Sequence, residues 1–100
     1  MSNIGQIIME AIKLRKVIEF SYNALPRFVE PYCYGISFAD NDVLRGYQIS
    51  VDSSKGASIG WKLFTVNKIG DIKITNITFK NLRPGYNPKD SSMKKIYYCI

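Results

Sequence analysis

Histidine is absent from this 100-residue chain. Its absence removes the commonest general base and the usual partner of a catalytic Ser or Cys. Cysteine is scarce. Cys33 and Cys99 form no CxxC pair, and no histidine completes a zinc site. They read as two thiols, packed or half exposed, in keeping with the burial habit of free cysteine. Acids are few, and Glu10, Glu19, Glu30, Asp52, Asp71 and Asp90 stand singly. Only Asp40 and Asp42 lie close together. They flank Asn41 in what reads as a solvated hairpin turn rather than a divalent-metal loop. No apolar run approaches the ~18 residues of a membrane span. The Met-Ser-Asn start lacks the basic segment and apolar block of a signal peptide. The expectation is a cytoplasmic protein, not an enzyme, with no metal, cofactor or membrane.

Hydrophobic residues make up 46% of the chain, enough for one packed core and a single domain over residues 1–100. Fourteen Lys and Arg against eight acids leave a net charge of +6. That field draws anionic partners such as nucleic acid, nucleotides or an acidic protein without choosing among them.

Ile4, Ile7, Ile8, Ala11 and Ile12 recur at helical spacing, with Gln6, Glu10 and Lys13 on the other face. Asn3 and Gln6 have capping-box spacing, and Arg15 and Lys16 suit the helix C-terminus. From Val17 the period becomes two, with Ile18, Phe20 and Tyr22 on one side. A turn at 23–26 follows, then a strand from Arg27 to Phe38, with Tyr32, Tyr34, Ile36 and Phe38 sharing a face. Pro31 marks an edge or a bulge. A third strand sets Val43, Arg45, Tyr47, Ile49 and Val51 against Leu44, Gly46, Gln48 and Ser50. The stretch 52–58 is a loop by composition. A fourth strand runs from Ile59 to Asn67. Shorter runs cover Ile69–Thr75 and Ile77–Phe79. Residues 83–88 resist both helix and sheet, and 94–100 read as a last strand. The predicted fold is α+β, mainly β: an N-terminal helix, then a strongly bent antiparallel sheet or barrel of five to six strands. The predicted core is Ile8, Ala11, Ile12, Ile18, Phe20, Leu44, Phe64, Val66, Ile69 and Ile72.

Ala11-Ile12, then Val17-Ile18-Glu19-Phe20-Ser21-Tyr22, then Arg27-Phe28-Val29-Glu30-Pro31, resemble the start of a WYL domain. Leu44-Arg45-Gly46-Tyr47 sits where that family has Leu-x-Ala-Tyr. Lys62-Leu63-Phe64 sits where it has Arg-x-Phe, Lys68-Ile69 where it has Arg-Ile, and Phe79 where it has a closing Phe. The match covers residues 4–79 and leaves 80–100 as a C-terminal extension. The Trp and Tyr that name the family fall on Asp42 and Val43. Lys62 and Lys68 replace arginines, keeping the charge but losing the flat bidentate fork. The resemblance implies an Sm-like, SH3-type β-barrel and a ligand-sensing or regulatory module that binds nucleic acid or a nucleotide-like anion, of a kind often found near phage-defence systems. With no room for a helix-turn-helix, the chain is expected to stand alone or act through a partner chain.

Binding a single strand or a nucleotide needs cations for phosphate and flat groups for bases. The candidate ligand residues are Arg45, Arg27, Lys62, Lys68, Tyr22, Tyr47 and Trp61. Arg45 stands out, because a charge on an otherwise apolar face must reach a partner, a ligand or the rim. Its alternative roles are to snorkel at a barrel edge or to pair with a structural acid, and that of Arg27 is a salt bridge to Glu30 or Asp52. Tyr22 and Tyr47 are residues that more often serve as core aromatics with a bonded hydroxyl, and Trp61 is either a stacking platform or a lid on the core. The competing function is a protein-interaction or inhibitory subunit. It would form a homo-oligomer or hold a protein partner through exposed strand edges and the aromatic tail.

Overall fold

The computed structural model describes residues 3–51 and 59–100. One helix, α1 (Asn3–Leu14), precedes six antiparallel strands: β1 (Lys16–Tyr22), β2 (Leu25–Ser37), β3 (Asp42–Val51), β4 (Gly60–Thr65), β5 (Gly70–Thr78) and β6 (Met93–Cys99). The sheet order is β4-β3-β2-β1-β5, and β6 joins β2 off this path. A 3-10 turn at Val66–Lys68 connects β4 to β5, so the fourth strand ends at Thr65, before the Asn67 expected from the sequence. The two short runs expected after it are one strand, β5.

The apolar stripe of α1 does what its spacing dictates. Ile8, Ala11 and Ile12 are buried against Ile18, Phe20, Leu44, Phe64, Val66 and Ile69, with Ile72 packed partly buried beside them. This is the core expected from the sequence. The β1–β2 turn is short because Asn23 and Ala24 both take positive φ, 53° and 63°, the backbone twist that suits a two-residue hairpin. The sheet wraps around this core, with β4 and β5 at its two ends and no ladder joining them among the described residues.

Strand β2 organises the rest. Its first half pairs with β1 through Leu25–Val29, and its second half pairs with β6 on the same edge through Cys33–Ser37. Pro31 lies in the gap between these ladders, where a missing N–H costs least. The register against β3 shifts there as well. Pro31 faces Gly46 and Cys33 faces Arg45, so Tyr32 is an extra residue. This bulge corrects the expected shared face of Tyr32 and Tyr34. Tyr34 enters the helix-side core, whereas Tyr32 enters a second core on the opposite face with Val17 and Phe79.

The cysteines need a second correction. Cys33 and Cys99 face each other across β2 and β6, with Cα atoms 4.2 Å apart, and they form a disulfide rather than two thiols. No helix among the described residues is long and apolar enough to cross a membrane.

A candidate ligand cavity under the C-terminal strap

Alternation along β3 and β4 sets the floor of the candidate site. Arg45 and Tyr47 point away from the helix-side core that holds Leu44, and Trp61 on β4 lies directly across from Tyr47. The Trp61 and Tyr47 rings pack edge-to-face, with centroids 5.4 Å apart and planes at 89°.

The roof is the segment 79–92, which follows β5 and crosses this face as a strap. Two forks fasten it. Arg83 donates from Nε and Nη2 to the two Glu30 oxygens, both at 3.0 Å, and its guanidinium lies 4.5 Å from the Tyr47 ring centroid. The Tyr32 hydroxyl accepts the Arg83 backbone N–H at 3.0 Å and donates to Glu30 at 3.3 Å. At the other end, Arg45 Nε donates to Asp90 Oδ2 at 2.6 Å, and Nη2 donates to Asp90 Oδ1 at 3.3 Å and to the Ser92 hydroxyl at 3.1 Å. Bidentate charge-assisted pairs of this kind fix geometry as well as charge. Between the forks, Trp61 Nε1 donates to the Pro84 carbonyl at 2.8 Å, and the Tyr86 ring stacks on Trp61 with centroids 6.1 Å apart and planes at 20°. Gly85 is required here. Its φ is +89°, and a β-carbon would sit 3.1 Å from Trp61 Nε1.

A cavity of about 270 Å³ remains between floor and roof, lined by Arg45, Trp61, Tyr86, Asn87, Asp90 and Ser92, among others. Asp90 is 8% exposed. Burial works to raise its pKa, but the hydrogen bonds from Arg45 and Ser92 and the Arg45 charge outweigh it, so the carboxyl lies below its ordinary value of 3.8. Burial pushes the Tyr86 phenol up, and its hydroxyl donates to the Ile100 carbonyl at 2.9 Å. The cavity therefore holds a cation already matched by a carboxylate, two nearly parallel aromatic rings and several small polar groups.

The seven expected ligand residues fall into separate groups. Arg45, Tyr47 and Trp61 meet under the strap. Tyr22 and Arg27 lie on the opposite, helix-side face. Arg27 is 8% exposed, its guanidinium lies over the Tyr22 ring at 5.2 Å and the Phe64 ring at 5.9 Å, and Nη1 donates to Gln48 at 3.1 Å. Its Nε has no hydrogen-bond partner, and no carboxylate forms an ion pair with it among the described residues. Glu30, one of its expected partners, belongs to Arg83; Asp52, the other, lies outside the described residues, as does the loop 52–58. The Tyr22 hydroxyl accepts the Thr65 N–H at 3.1 Å, the bonded aromatic role weighed for it above. Lys62 is half-buried on β4 opposite Gly46, and Lys68 is exposed on the 3-10 turn.

Asp90, Arg83 and Tyr86 were not candidates from the sequence. Forty-five residues separate Arg45 from Asp90, and no local pattern encodes that pairing. The one available signal was the strap's resistance to both helix and sheet. Compared with known proteins, the chain matches no family model, no curated protein and no solved structure.

Proposed function

We propose that the chain is a regulatory binding module of WYL type, and not an enzyme, whose strap cavity takes a nucleotide-like anion or a terminal nucleotide of a single strand. The observation that carries this reading is the meeting of Arg45 and Trp61, two residues singled out from the sequence, with Tyr86 in one cavity of about 270 Å³. A guanidinium suits a phosphate, and aromatic faces suit a base. The cavity lies at the small end of ligand sites, so one nucleotide fits the reading better than a strand threaded through it. The net charge of +6 supports an anionic ligand. A cytoplasmic setting was the sequence expectation. The Cys33–Cys99 bond favours an oxidising compartment instead, since cytosolic thiols are kept reduced.

The chain has a single tryptophan, so Trp61 emission reports on this cavity alone. Titration with mononucleotides and short single-stranded oligonucleotides at low salt should change that emission. Affinity for an oligonucleotide should fall with salt at a log-log slope of about −0.7 per phosphate contacted. Absence of binding at low salt would count against the reading.

A second reading, a homo-oligomer or a subunit holding a protein partner, is supported by the two end strands of the sheet. Neither outer edge of β4 or β5 is paired among the described residues, and Leu63 and Ile77 are exposed there. Sedimentation distinguishes the two. A strict monomer with no retained partner would argue against oligomerisation.

A further inference from the structure

Glu30 and Asp90 are the buried carboxylates among the described residues, and they serve the strap in opposite senses. Glu30 is a fixed strand acid that receives Arg83 from the strap. Asp90 is a strap acid that reaches a fixed strand cation, Arg45. Only the second pair lines the cavity. Arg45 is therefore already satisfied where an anionic ligand would need it. A phosphate gains little from a guanidinium whose fork holds a carboxylate, and placing both anions on one cation sets like charges side by side.

One member of the pair must yield, and the fold decides which. Arg45 stands on β3, laddered on both sides by β2 and β4. Asp90 stands in irregular chain between Pro88 and β6, held locally by the Ser92 N–H on its carboxylate at 2.9 Å and by the Met93 N–H on its carbonyl at 3.1 Å. Irregular segments with few ladder bonds open more readily than central strands. We infer that Asp90 is a built-in stand-in for the ligand's phosphate: it occupies the fork of Arg45, a phosphate monoester of mononucleotide size displaces it, and the strap loosens over Trp61 as a result. This rests on the nucleotide-like reading of the cavity and adds its regulation. Binding and strap release become one event, which is what a sensing module needs, because a ligand shifts a conformation only through a difference in affinity between the two states.

The test compares wild type, Asp90→Asn and Arg45→Met, titrated with adenosine 5′-monophosphate, inorganic phosphate and adenosine, and read by Trp61 emission. Asparagine keeps the size of Asp90 but not its charge, so it competes weakly for the guanidinium. The expected result is at least tenfold tighter adenosine 5′-monophosphate binding in Asp90→Asn and a smaller emission change on binding, because Trp61 starts from a loosened roof. Arg45→Met should lose the monophosphate, inorganic phosphate should bind more weakly than the nucleotide, and adenosine should gain nothing from Asp90→Asn. Equal monophosphate affinity in wild type and Asp90→Asn, with Arg45→Met still deficient, overturns the stand-in role and leaves the nucleotide cavity in place. No binding to either protein overturns both. Hydrogen exchange in wild type covers the case where Asp90→Asn does not fold. Saturating monophosphate should speed exchange of the Ser92 amide severalfold, since the carboxylate that holds it has left. Slower or unchanged exchange at saturation overturns the proposal.

Discussion

A β-carbon on Gly46 would run into Val29 Cγ1 and lie 3.0 Å from the Glu30 carbonyl oxygen. These two strands touch where β2 bulges, and nothing larger than hydrogen fits between them. Gly46→Ala should cost roughly 1–3 kcal/mol, the range for overpacking a tight interior, and urea unfolding checks it. An unchanged midpoint would mean that β2 and β3 can part here at no cost. Arg27 makes the opposite case. Among the described residues this buried cation has no carboxylate partner and is held by Gln48 and two ring faces. Removing it relieves a desolvated charge while losing one hydrogen bond. Arg27→Met should therefore stay within about 1 kcal/mol of wild-type stability. A loss of 3 kcal/mol or more, the size seen when a paired buried charge is broken, would show that Arg27 has an ionic partner.

Among the elements, β6 depends most on a single bond. Among the described residues it pairs only with β2, and the disulfide fastens its far end there across a sequence separation of 66 residues. Closing a loop of that length removes disorder from the unfolded chain. Reduction should therefore lower stability by roughly 2–4 kcal/mol, within the usual range for native disulfides. Unfolding with and without a dithiol reductant measures it. A loss below about 0.5 kcal/mol would show that the ladder and the Tyr97–Tyr34 ring contact hold β6 unaided. The strap upstream has its own fastenings at Glu30 and Arg45, so Trp61 emission should change less on reduction than on breaking either fork.

For the whole molecule, two titrations contribute to the pH dependence of the fold. Burial first, then the Asp42 carboxylate, push the Tyr34 phenol up to about 12. Its hydroxyl donates to Asp42 at 3.1 Å. A raised folded pKa means the contribution is complete below the unfolded value near 10 and is lost as pH rises through about 12. The shift corresponds to roughly 2–3 kcal/mol, so unfolding midpoints should be level up to pH near 10 and fall above it. A midpoint flat through pH 12 would exclude this. Asp90 sets the acid side with the opposite sign. Its lowered folded pKa gives stability that is present above 3.8 and lost as pH falls through the lower folded value. The Arg45–Asp90 pair therefore stays ionised throughout the neutral range.

Local pattern determined the elements. A 3.6-residue period made α1, a two-residue period made the strands, and Asn23 permitted the tight turn, because each depends on neighbours a few residues away. The helix-side core followed from the same periods, from Ile8 to Ile69. Three other features depended on residues far apart in the chain. The bulge at Tyr32 sent neighbouring tyrosines to opposite cores, the disulfide joined Cys33 to Cys99, and the strap brought Asp90 to Arg45. Arg45 illustrates the division. Alternation along β3 showed that a charge stood on an apolar face and had to be answered. Only the folded chain, by laying residues 79–92 across that face, decided that the answer was Asp90 and that a cavity would remain beside it.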